Sequence, residues 1–251
     1  MISEFYYGTA WHWALPYLPR VMLSYNFTRT LKKPWTIEKP LMFDSGAYSV
    51  ILKHGKYPYS PEQYESGIEQ WHPDIAWTMD FPCEPSVREK GQYDPTKAQE
   101  MTIENQIKLL DLNANTQMVV QGWKISDYLT NLDKIKEQGL LTEHLGIGSI
   151  CRRGQNNQIA GIIRTIHASV PGWVKLHGFG VKISVIKKTD AKFYLFSADS
   201  ISWDYKQRYG KWLEGKYNGQ TYHEKIPRLK EYIEDIESRM NPTEPLMEAL
   251  K

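Results

Sequence analysis

Six apolar runs of the sequence each end on a polar residue or a glycine. The runs read LMFDSGAYS, IAWTMDFPCEP, MVVQGW, HLGIGS, WVKLHGFG and FYLFSADSISW, and they carry Asp44, Asp80, Gln121 and Asp199. Two carboxylates in one site are typical of acid–base or nucleophilic chemistry at an acetal carbon, because one attacks the anomeric carbon while the other protonates the leaving group. A third carboxylate, beside an amide and backbone N–H groups, can recognise a polar heterocycle.

The spacing of these runs predicts the elements that hold them. Successive runs lie roughly 20 to 40 residues apart, which is the length of a strand-plus-helix unit. Parallel strands in one barrel bring their carboxyl ends to one rim, where such barrels keep their chemistry. The chain is therefore predicted to be α/β, a single-domain (β/α)8 TIM barrel over residues 1–240 with a C-terminal helical extension, followed by a tail at 241–251.

Apolar periodicity, prolines and capping residues predict the individual elements. Strands are expected at 4–8, 20–26, 41–43, 75–80, 117–121, 144–148, 173–178 and 193–198. Helices are expected at about 11–18, 61–71, 95–112, 125–138, 155–169, after 178 to about 190, and at 222–240. Ser60 before Pro61 is a predicted helix start, whereas Pro82 and Pro85 predict an irregular loop.

Composition fits a soluble globular protein. The 251 residues are 41% hydrophobic and 24% charged, and no apolar stretch is long enough to span a membrane. The N-terminus lacks the pattern of a signal peptide, so we expect a cytoplasmic location. Cys83 and Cys151 are expected to be buried thiols in a reducing compartment, because they lack the close spacing of a zinc motif.

The net charge of +2 neither proves nor forbids a nucleic-acid partner. Basic residues near the predicted strand ends could contact phosphates, and a tryptophan beyond a strand end could stack on a base. An ordinary solvated surface is the alternative. The candidate nucleic-acid contacts are Arg152, Arg153, Trp203, Arg208 and Lys211.

In order and spacing, FDSGAYS, MDFPCEP, VVQGW, LGIGS, LHGFGV and FSADS resemble the tRNA-guanine transglycosylase family. They also resemble its DNA-acting branch, the DNA 7-deazaguanine transglycosylases of phage and bacterial DNA-modification clusters, which the short chain and the SADSISW ending favour. The likeness spans roughly residues 41–205. It implies a pentosyltransferase that exchanges guanine in a polynucleotide for a 7-deazaguanine base, such as 7-cyano-7-deazaguanine, through an aspartyl glycosyl-enzyme.

The resemblance also implies a role for each site residue. Asp199 corresponds to the nucleophile, and Asp44 to the general acid and base. Asp80 corresponds to the acceptor for the ring N–H and amine of guanine, which need an acceptor-only group. The glycines correspond to a segment whose backbone N–H meets the keto oxygen, since glycine permits a close approach. The predicted base-binding set is Asp80, Gln121, Gly146, Gly148, His177 and Ser45.

DNA is the favoured polynucleotide, and tRNA is the second choice. The tRNA enzymes carry a zinc-binding element with three close cysteines and a histidine, and an arginine-containing loop after the nucleophile; neither is found here. We therefore expect no zinc and no other cofactor. A partner protein that gives access to DNA is compatible with a small, mildly basic chain, and the location would be the host cytoplasm if a phage encodes it.

Other functions remain open at this level. They include a queuine-type tRNA-guanine transglycosylase, a glycoside hydrolase or nucleosidase that uses Asp44 and Asp199 on a small substrate, and a non-catalytic nucleic-acid binder. The aspartates also have structural alternatives, because Asp44 and Asp199 could cap helices and Asp80 could fix its own loop. Glu84 could reach the site, but a solvated loop acid is the favoured interpretation.

Overall fold

Eight parallel strands form a closed barrel in sequence order in the computed structural model, which describes residues 1–203 and 222–240. The last strand pairs with the first, with Glu4 opposite Ser197 and Tyr7 opposite Ser200. The predicted (β/α)8 TIM barrel is therefore confirmed. Because all strands run the same way, their carboxyl ends meet at a single rim.

The strands and helices alternate along the chain. Strands β1 to β8 are Glu4–Gly8, Val21–Ser24, Leu41–Asp44, Ile75–Trp77, Thr116–Val120, His144–Ile147, Lys175–Gly178 and Ser197–Ser200. Helices α1 to α9 are Tyr25–Thr28, Ala47–His54, Pro61–Trp71, Pro85–Gly91, Pro95–Asp111, Ile125–Glu137, Asn156–Ser169, Ile183–Lys188 and Tyr222–Met240. Two short 3₁₀ helices are His12–Tyr17 and Asp190–Phe193.

The barrel interior is filled by large side chains, so the barrel is a packed core and not a channel. Alternate residues of each strand point inward, and the others pack against the helices. On β1, for example, Tyr6 belongs to the inner cluster while Phe5 and Tyr7 belong to the outer one. The inner cluster consists of Tyr6, Met22, Met42, Trp77 and Val119.

Helix α3 begins where the capping residues predict. Ser60 Oγ accepts the N–H of Gln63, whose side chain accepts the N–H of Ser60, and Pro61 takes the first helical position. This reciprocal arrangement satisfies two N–H groups that have no partner inside the helix. The start of α3, on the outside of the barrel, is thus fixed by local sequence alone.

Two expectations for the element boundaries are wrong. The predicted second strand stops at Ser24 because the chain turns into α1, and Pro85 begins a helix where an irregular loop was expected. Proline suits a first helical position because no N–H is needed there. Helix α4 therefore begins at the last residue of the DFPCEP segment, and Glu84 becomes its N-terminal flanking residue.

The last strand is also displaced from its predicted position. Residues 190–193 form a 3₁₀ helix instead, and the N–H of Ala191 in this helix donates to Thr189 Oγ1. The Phe193 side chain is exposed. The strand therefore begins at Ser197 and includes Asp199, whose Cα is paired with that of Tyr6. A strand position fixes the backbone of Asp199 more firmly than the loop position that the sequence predicts.

The C-terminal extension packs against the start of the barrel. Helix α9 buries Leu229, Ile236 and Met240, and its Glu237 accepts a hydrogen bond of 3.0 Å from Tyr7 on β1. The predicted tail at 241–251 lies outside the described residues. Within residues 1–203 and 222–240, no helix combines the length and the apolar character that crossing a bilayer requires.

Candidate active site

A pocket of about 240 Å³ lies at the carboxyl ends of the strands. Asp44 at the end of β3, Asp80 in the loop after β4 and Asp199 on β8 all line it. Side chains from distant parts of the chain thus meet in one cavity, as the strand-end pattern predicts. Other lining residues used below are Tyr48, Glu84, Gly148, Ser149 and Cys151.

Asp199 is held by one of its two oxygens. Oδ1 accepts the backbone N–H of Gly180 at 2.8 Å and lies 3.3 Å from Nε2 of His177. In the part of the chain that the structure describes, no donor contacts Oδ2. The carboxylate is 13% exposed, so it is oriented by Oδ1 while Oδ2 remains as the oxygen that can act as a nucleophile.

His177 lies behind Asp199 and does not line the pocket. Its side chain is fully buried against the rings of Trp77 and Phe179, at centroid distances of 4.9 and 4.7 Å, and these two rings also contact each other. Nδ1 lies 2.9 Å from Ser197 Oγ. Because an ionised carboxylate only accepts, His177 donates from Nε2 to Asp199 and accepts from Ser197 at Nδ1. This corrects the expectation that His177 contacts the base.

Asp44 does not cap the helix that follows it. The N-terminal cap of α2 is Gly46, whose φ of +78° suits glycine, and Asp44 accepts hydrogen bonds from Ser24 and from the N–H of Gly46. Its Oδ1 is buried without a partner among the described residues. Burial, followed by the charge of Asp199, raises the pKa of Asp44 to about 7. Such a carboxyl can both give and take a proton near neutral pH.

Asp80 is oriented from behind by Gln121. The Gln121 side chain is fully buried and donates from Nε2 to Oδ2 of Asp80. Burial and the neighbouring charge of Glu84 raise the pKa of Asp80 to about 7. Gln121 therefore fixes the acceptor that faces the pocket and is itself one layer removed from it.

Gly146 on β6 and Gly148 just after it serve packing rather than donation. Gly148 lines the pocket, but its N–H already bonds the carbonyl of Val120 at 3.0 Å, so the expected N–H for a keto oxygen is not available there. A Cβ on Gly148 would lie 2.1 Å from Nε2 of Gln121, and one on Gly146 would lie 2.4 Å from the ring of Phe179. Both positions need glycine to leave room for the neighbouring side chain.

Ser45 is also displaced from its predicted role. Its side chain is buried and its Oγ lies 2.8 Å from the hydroxyl of Tyr57, which donates to the carbonyl of Asp80. Ser45 thus connects the β3 and β4 loops behind the pocket wall. It supports the position of Asp80 and does not face the cavity.

Glu84 is a site residue, contrary to the favoured interpretation that it is a solvated loop acid. The carboxyl is 3% exposed and lines the pocket, where Oε2 lies 2.7 Å from Ser149 Oγ and Oε1 lies 3.7 Å from Cys151 Sγ. Burial raises its pKa. The available signal was its place between two prolines, four residues after Asp80, in a loop too stiff to leave it in solvent.

The predicted nucleic-acid contacts divide into three groups. Arg152 is exposed and stands 5.0 Å from the ring of Tyr48, which lines the pocket, so Arg152 lies at the pocket edge. Trp203 is 4% exposed, donates to the carbonyl of Gly8 and packs edge-on against Trp13, which removes it from contact with a nucleic acid. Arg208 and Lys211 lie outside the described residues.

Arg153 is a structural residue, contrary to the expectation that it contacts phosphates. Its side chain is 2% exposed and donates to the carbonyls of Ser149 and Trp123 at 2.9 and 2.8 Å. The guanidinium also stacks 4.2 Å from the ring of Trp123. Arg153 therefore fixes the loops after β5 and β6 and presents no charge to a ligand.

A family model described as DeoxyPurine in DNA protein A matches residues 9–224. The match covers most of the chain and extends beyond the region where the short motifs resemble the superfamily. The chain therefore belongs to this family, a branch of the tRNA-guanine transglycosylase superfamily whose members are DNA-modifying transglycosylases. No curated protein matches the chain.

Among the described residues, no three His, Cys, Asp or Glu side chains are grouped so that they could hold a metal ion. Cys83 and Cys151 are both free thiols, one buried and the other half-buried. The absence of zinc stays a prediction for the whole chain.

Proposed function

We propose that the protein exchanges guanine in DNA for a 7-deazaguanine base, such as 7-cyano-7-deazaguanine, by double displacement. The observation that carries this proposal is the convergence of Asp44, Asp80 and Asp199 on one pocket. Membership of the DeoxyPurine in DNA protein A family supports DNA as the polynucleotide. The target nucleotide must leave the base stack to reach a pocket of this kind.

In the first displacement, Asp199 attacks C1′ of the target deoxyguanosine through Oδ2. The bond from C1′ to N9 breaks, and its electron pair leaves with guanine. Protonated Asp44 supplies the proton that neutralises the departing base. The product is a glycosyl ester on Asp199, and Asp44 is left ionised.

Recognition of the base is assigned to Asp80. Ionised Asp80 accepts the ring N–H and the exocyclic amine, which both guanine and 7-deazaguanine carry. Gln121 holds Asp80 from behind. Because the Gly148 N–H is used within the barrel, we assign the donor for the keto oxygen to the next amide, that of Ser149, which lies outside the strand.

In the second displacement, the incoming base takes the place of guanine. Ionised Asp44 removes the proton from its N9, N9 attacks C1′, and the bond from C1′ to Asp199 breaks. Asp44 thus regains the proton it lost in the first step. Two attacks on opposite faces leave the configuration at C1′ unchanged.

Substrate access and location belong to the same proposal. Arg152 at the pocket edge is the described residue best placed to contact a phosphate. A partner protein would supply single-stranded or distorted DNA if duplex DNA alone is not accepted. A cytoplasmic location follows from the need for DNA and stays a prediction.

The test is incorporation of a labelled base. The protein is incubated with guanine-containing DNA or with tRNA and labelled 7-cyano-7-deazaguanine, and denaturing gels are used to search for a covalent adduct. We expect label and adduct with DNA and neither with Asp199→Asn. Incorporation by Asp199→Asn would remove the nucleophile assignment, label in tRNA alone would favour the queuine-type reaction, and release of free base without exchange would favour a nucleosidase.

A further inference from the structure

The hydroxyl of Ser149 can donate one hydrogen bond, but two acceptor oxygens lie within hydrogen-bond distance of it. Its Oγ accepts the N–H of Cys83 at 2.7 Å and also lies 2.7 Å from both Oε2 of Glu84 and Oε1 of Gln121. An amide oxygen and an ionised carboxylate both accept only, and a serine hydroxyl donates one hydrogen. If Glu84 is ionised, Ser149 can donate to only one of these two oxygens, and the other short contact would bring two lone pairs together.

One additional proton removes the conflict. If Glu84 is protonated, it donates to Ser149, and Ser149 donates to Oε1 of Gln121. Nε2 of Gln121 then donates to Asp80, which is the orientation found in the structure. The reverse arrangement, with the amide turned over, would protonate Asp80 and leave Glu84 ionised. Every contact is satisfied in either case, but only the first leaves Asp80 as a pure acceptor.

We infer that Asp80 and Glu84 share a single proton through Gln121 and Ser149, and that this proton resides on Glu84. Glu84 is then a positioning residue, which fixes the direction of the hydrogen bonds and thereby keeps Asp80 able to accept from the base. The relation to base recognition rests on the function proposed above. That one proton is shared does not rest on it, because this follows from contacts within the protein, and the donation from Nε2 of Gln121 to Asp80 places the proton on Glu84.

The backbone and the electrostatics agree with this arrangement. Ser149 has a φ of +57°, a strained conformation for a residue with a side chain, and it directs the hydroxyl into the network. Glu84 is nearly inaccessible, and burial raises the pKa of both Glu84 and Asp80, as expected for two carboxyls that share a proton. Two carboxyls that repel each other in such surroundings hold one proton between them.

Other charged and titratable groups surround the pair. Arg153 is the cation that acts on Glu84, and Arg88 bonds the adjoining carbonyl of Cys83. The groups that interact with Glu84 or Asp80 or with their immediate neighbours are Cys83, Arg88, Tyr93, Tyr128, Cys151, Arg153, Asp44, Tyr57, Tyr59 and Tyr64. The thiols and phenols among them have raised pKa values, so they stay neutral while the carboxyl pair titrates.

The first experiment measures the proton directly in the free protein. Carboxyl carbons of glutamate and aspartate are labelled with ¹³C, and their NMR signals are followed with pH. We expect the Glu84 carboxyl, assigned by its loss in Glu84→Gln, to be neutral at neutral pH while Asp80 is ionised. An ionised Glu84 at neutral pH overturns the inference, whether Asp80 is then neutral or ionised. If Glu84→Gln does not fold, Ser149→Ala provides the assignment, because it changes the surroundings of Glu84.

The second experiment measures affinity for free 7-cyano-7-deazaguanine as a function of pH. Wild-type affinity should fall by up to about tenfold per pH unit above the pKa of the pair, since the shared proton is then lost. In Glu84→Gln the amide donates permanently to Ser149, so this decrease should disappear. The matched control is Glu89→Gln on the exposed side of α4, which should keep the wild-type profile.

The two experiments separate failure of the inference from failure of the proposed function. An alkaline decrease that persists unchanged in Glu84→Gln overturns the role of Glu84. If no variant binds the base at any pH, the proposed function fails, and the NMR titration still decides where the proton lies. A purely structural role for Glu84 would change stability but would leave the pH profile of base binding in place.

Discussion

Nε2 of His177 lies 3.3 Å from Oδ1 of Asp199, the same oxygen that accepts the N–H of Gly180. Both donors therefore act on one side of the carboxylate. His177 is in turn fixed by Ser197 and by the rings of Trp77 and Phe179. His177 and Gly180, neither of which lines the pocket, thus hold one oxygen of Asp199 and leave the other for the substrate.

We predict that His177→Phe slows formation of the glycosyl-enzyme. Phenylalanine keeps the ring contacts with Trp77 and Phe179 but removes the donor to Asp199, so the carboxylate loses part of its orientation. A decrease of about 10- to 100-fold in the single-turnover rate is expected, because small misplacements of a nucleophile have effects of that size. Binding of the free base should change little. The matched variant His167→Phe, on the exposed side of α7, should leave the rate unchanged.

The two displacements should depend on pH in opposite directions. Asp44 must be protonated to release guanine and ionised to accept the proton of the incoming base, and its pKa is about 7. Adduct formation without added base should therefore decrease above about pH 7, and resolution of the adduct by 7-deazaguanine should decrease below it. Quenched-flow measurement of each half-reaction on DNA checks this. Parallel pH profiles for both steps would contradict the assignment of Asp44.

Asp44 should also lower the free energy of unfolding at neutral pH compared with acidic pH. Folding raises its pKa from 3.8 to about 7, so the folded protein binds this proton more tightly than the unfolded chain does. The resulting stabilisation is present below about pH 4 and is lost as the pH rises through about 7. Asp44→Asn should therefore increase the free energy of unfolding at pH 8 by about 1–3 kcal/mol and have little effect at pH 4.

Urea denaturation at several pH values tests this prediction. Asp111→Asn, at the exposed end of α5, is the control and should show no such dependence. A stabilisation by Asp44→Asn that is equal at both pH values would show that the carboxyl titrates normally in the folded protein.

Gly148→Ala should disrupt recognition of the base more than folding. The added Cβ would lie 2.1 Å from Nε2 of Gln121, so the amide must move away from Asp80 and Ser149. We expect affinity for the free base to fall by about tenfold or more, because a hydrogen bond to a charged group is worth about 1.5–3 kcal/mol. Gly154→Ala is the control, since a Cβ there meets nothing within 4 Å. Equal affinities for the two variants would contradict the role of Gln121.

The sequence predicts the barrel and the strand ends because both depend on local pattern. The apolar run that ends at Asp44 becomes β3, with Asp44 as its last residue, and Asp199 reaches the same rim although its strand begins later than expected. Apolar alternation and helix capping operate over a few residues, so they can be recognised without the fold. The convergence of the aspartates follows from the topology once the strands are parallel.

The sequence alone does not predict which polar residues are buried. Glu84 and Ser149 are 65 positions apart, and their contact exists only because the β4 and β6 loops fold over each other. Arg152 and Arg153 have the same side chain and adjacent positions, yet one is exposed and the other is enclosed by the carbonyls of two loops. Charge is visible in the sequence, whereas the acceptors that satisfy it come from distant segments.

The two adjacent arginines give a final, matched prediction. Arg153→Ala leaves the carbonyls of Ser149 and Trp123 without their donor and removes the guanidinium from the ring of Trp123. It should therefore lower the free energy of unfolding by about 2–4 kcal/mol. Arg152→Ala should keep the wild-type melting temperature but weaken DNA binding and reduce the salt dependence of the affinity by about one ion. Thermal melts and binding titrations at several salt concentrations separate the two effects, and a fully stable Arg153→Ala that loses DNA binding would reverse the assignment.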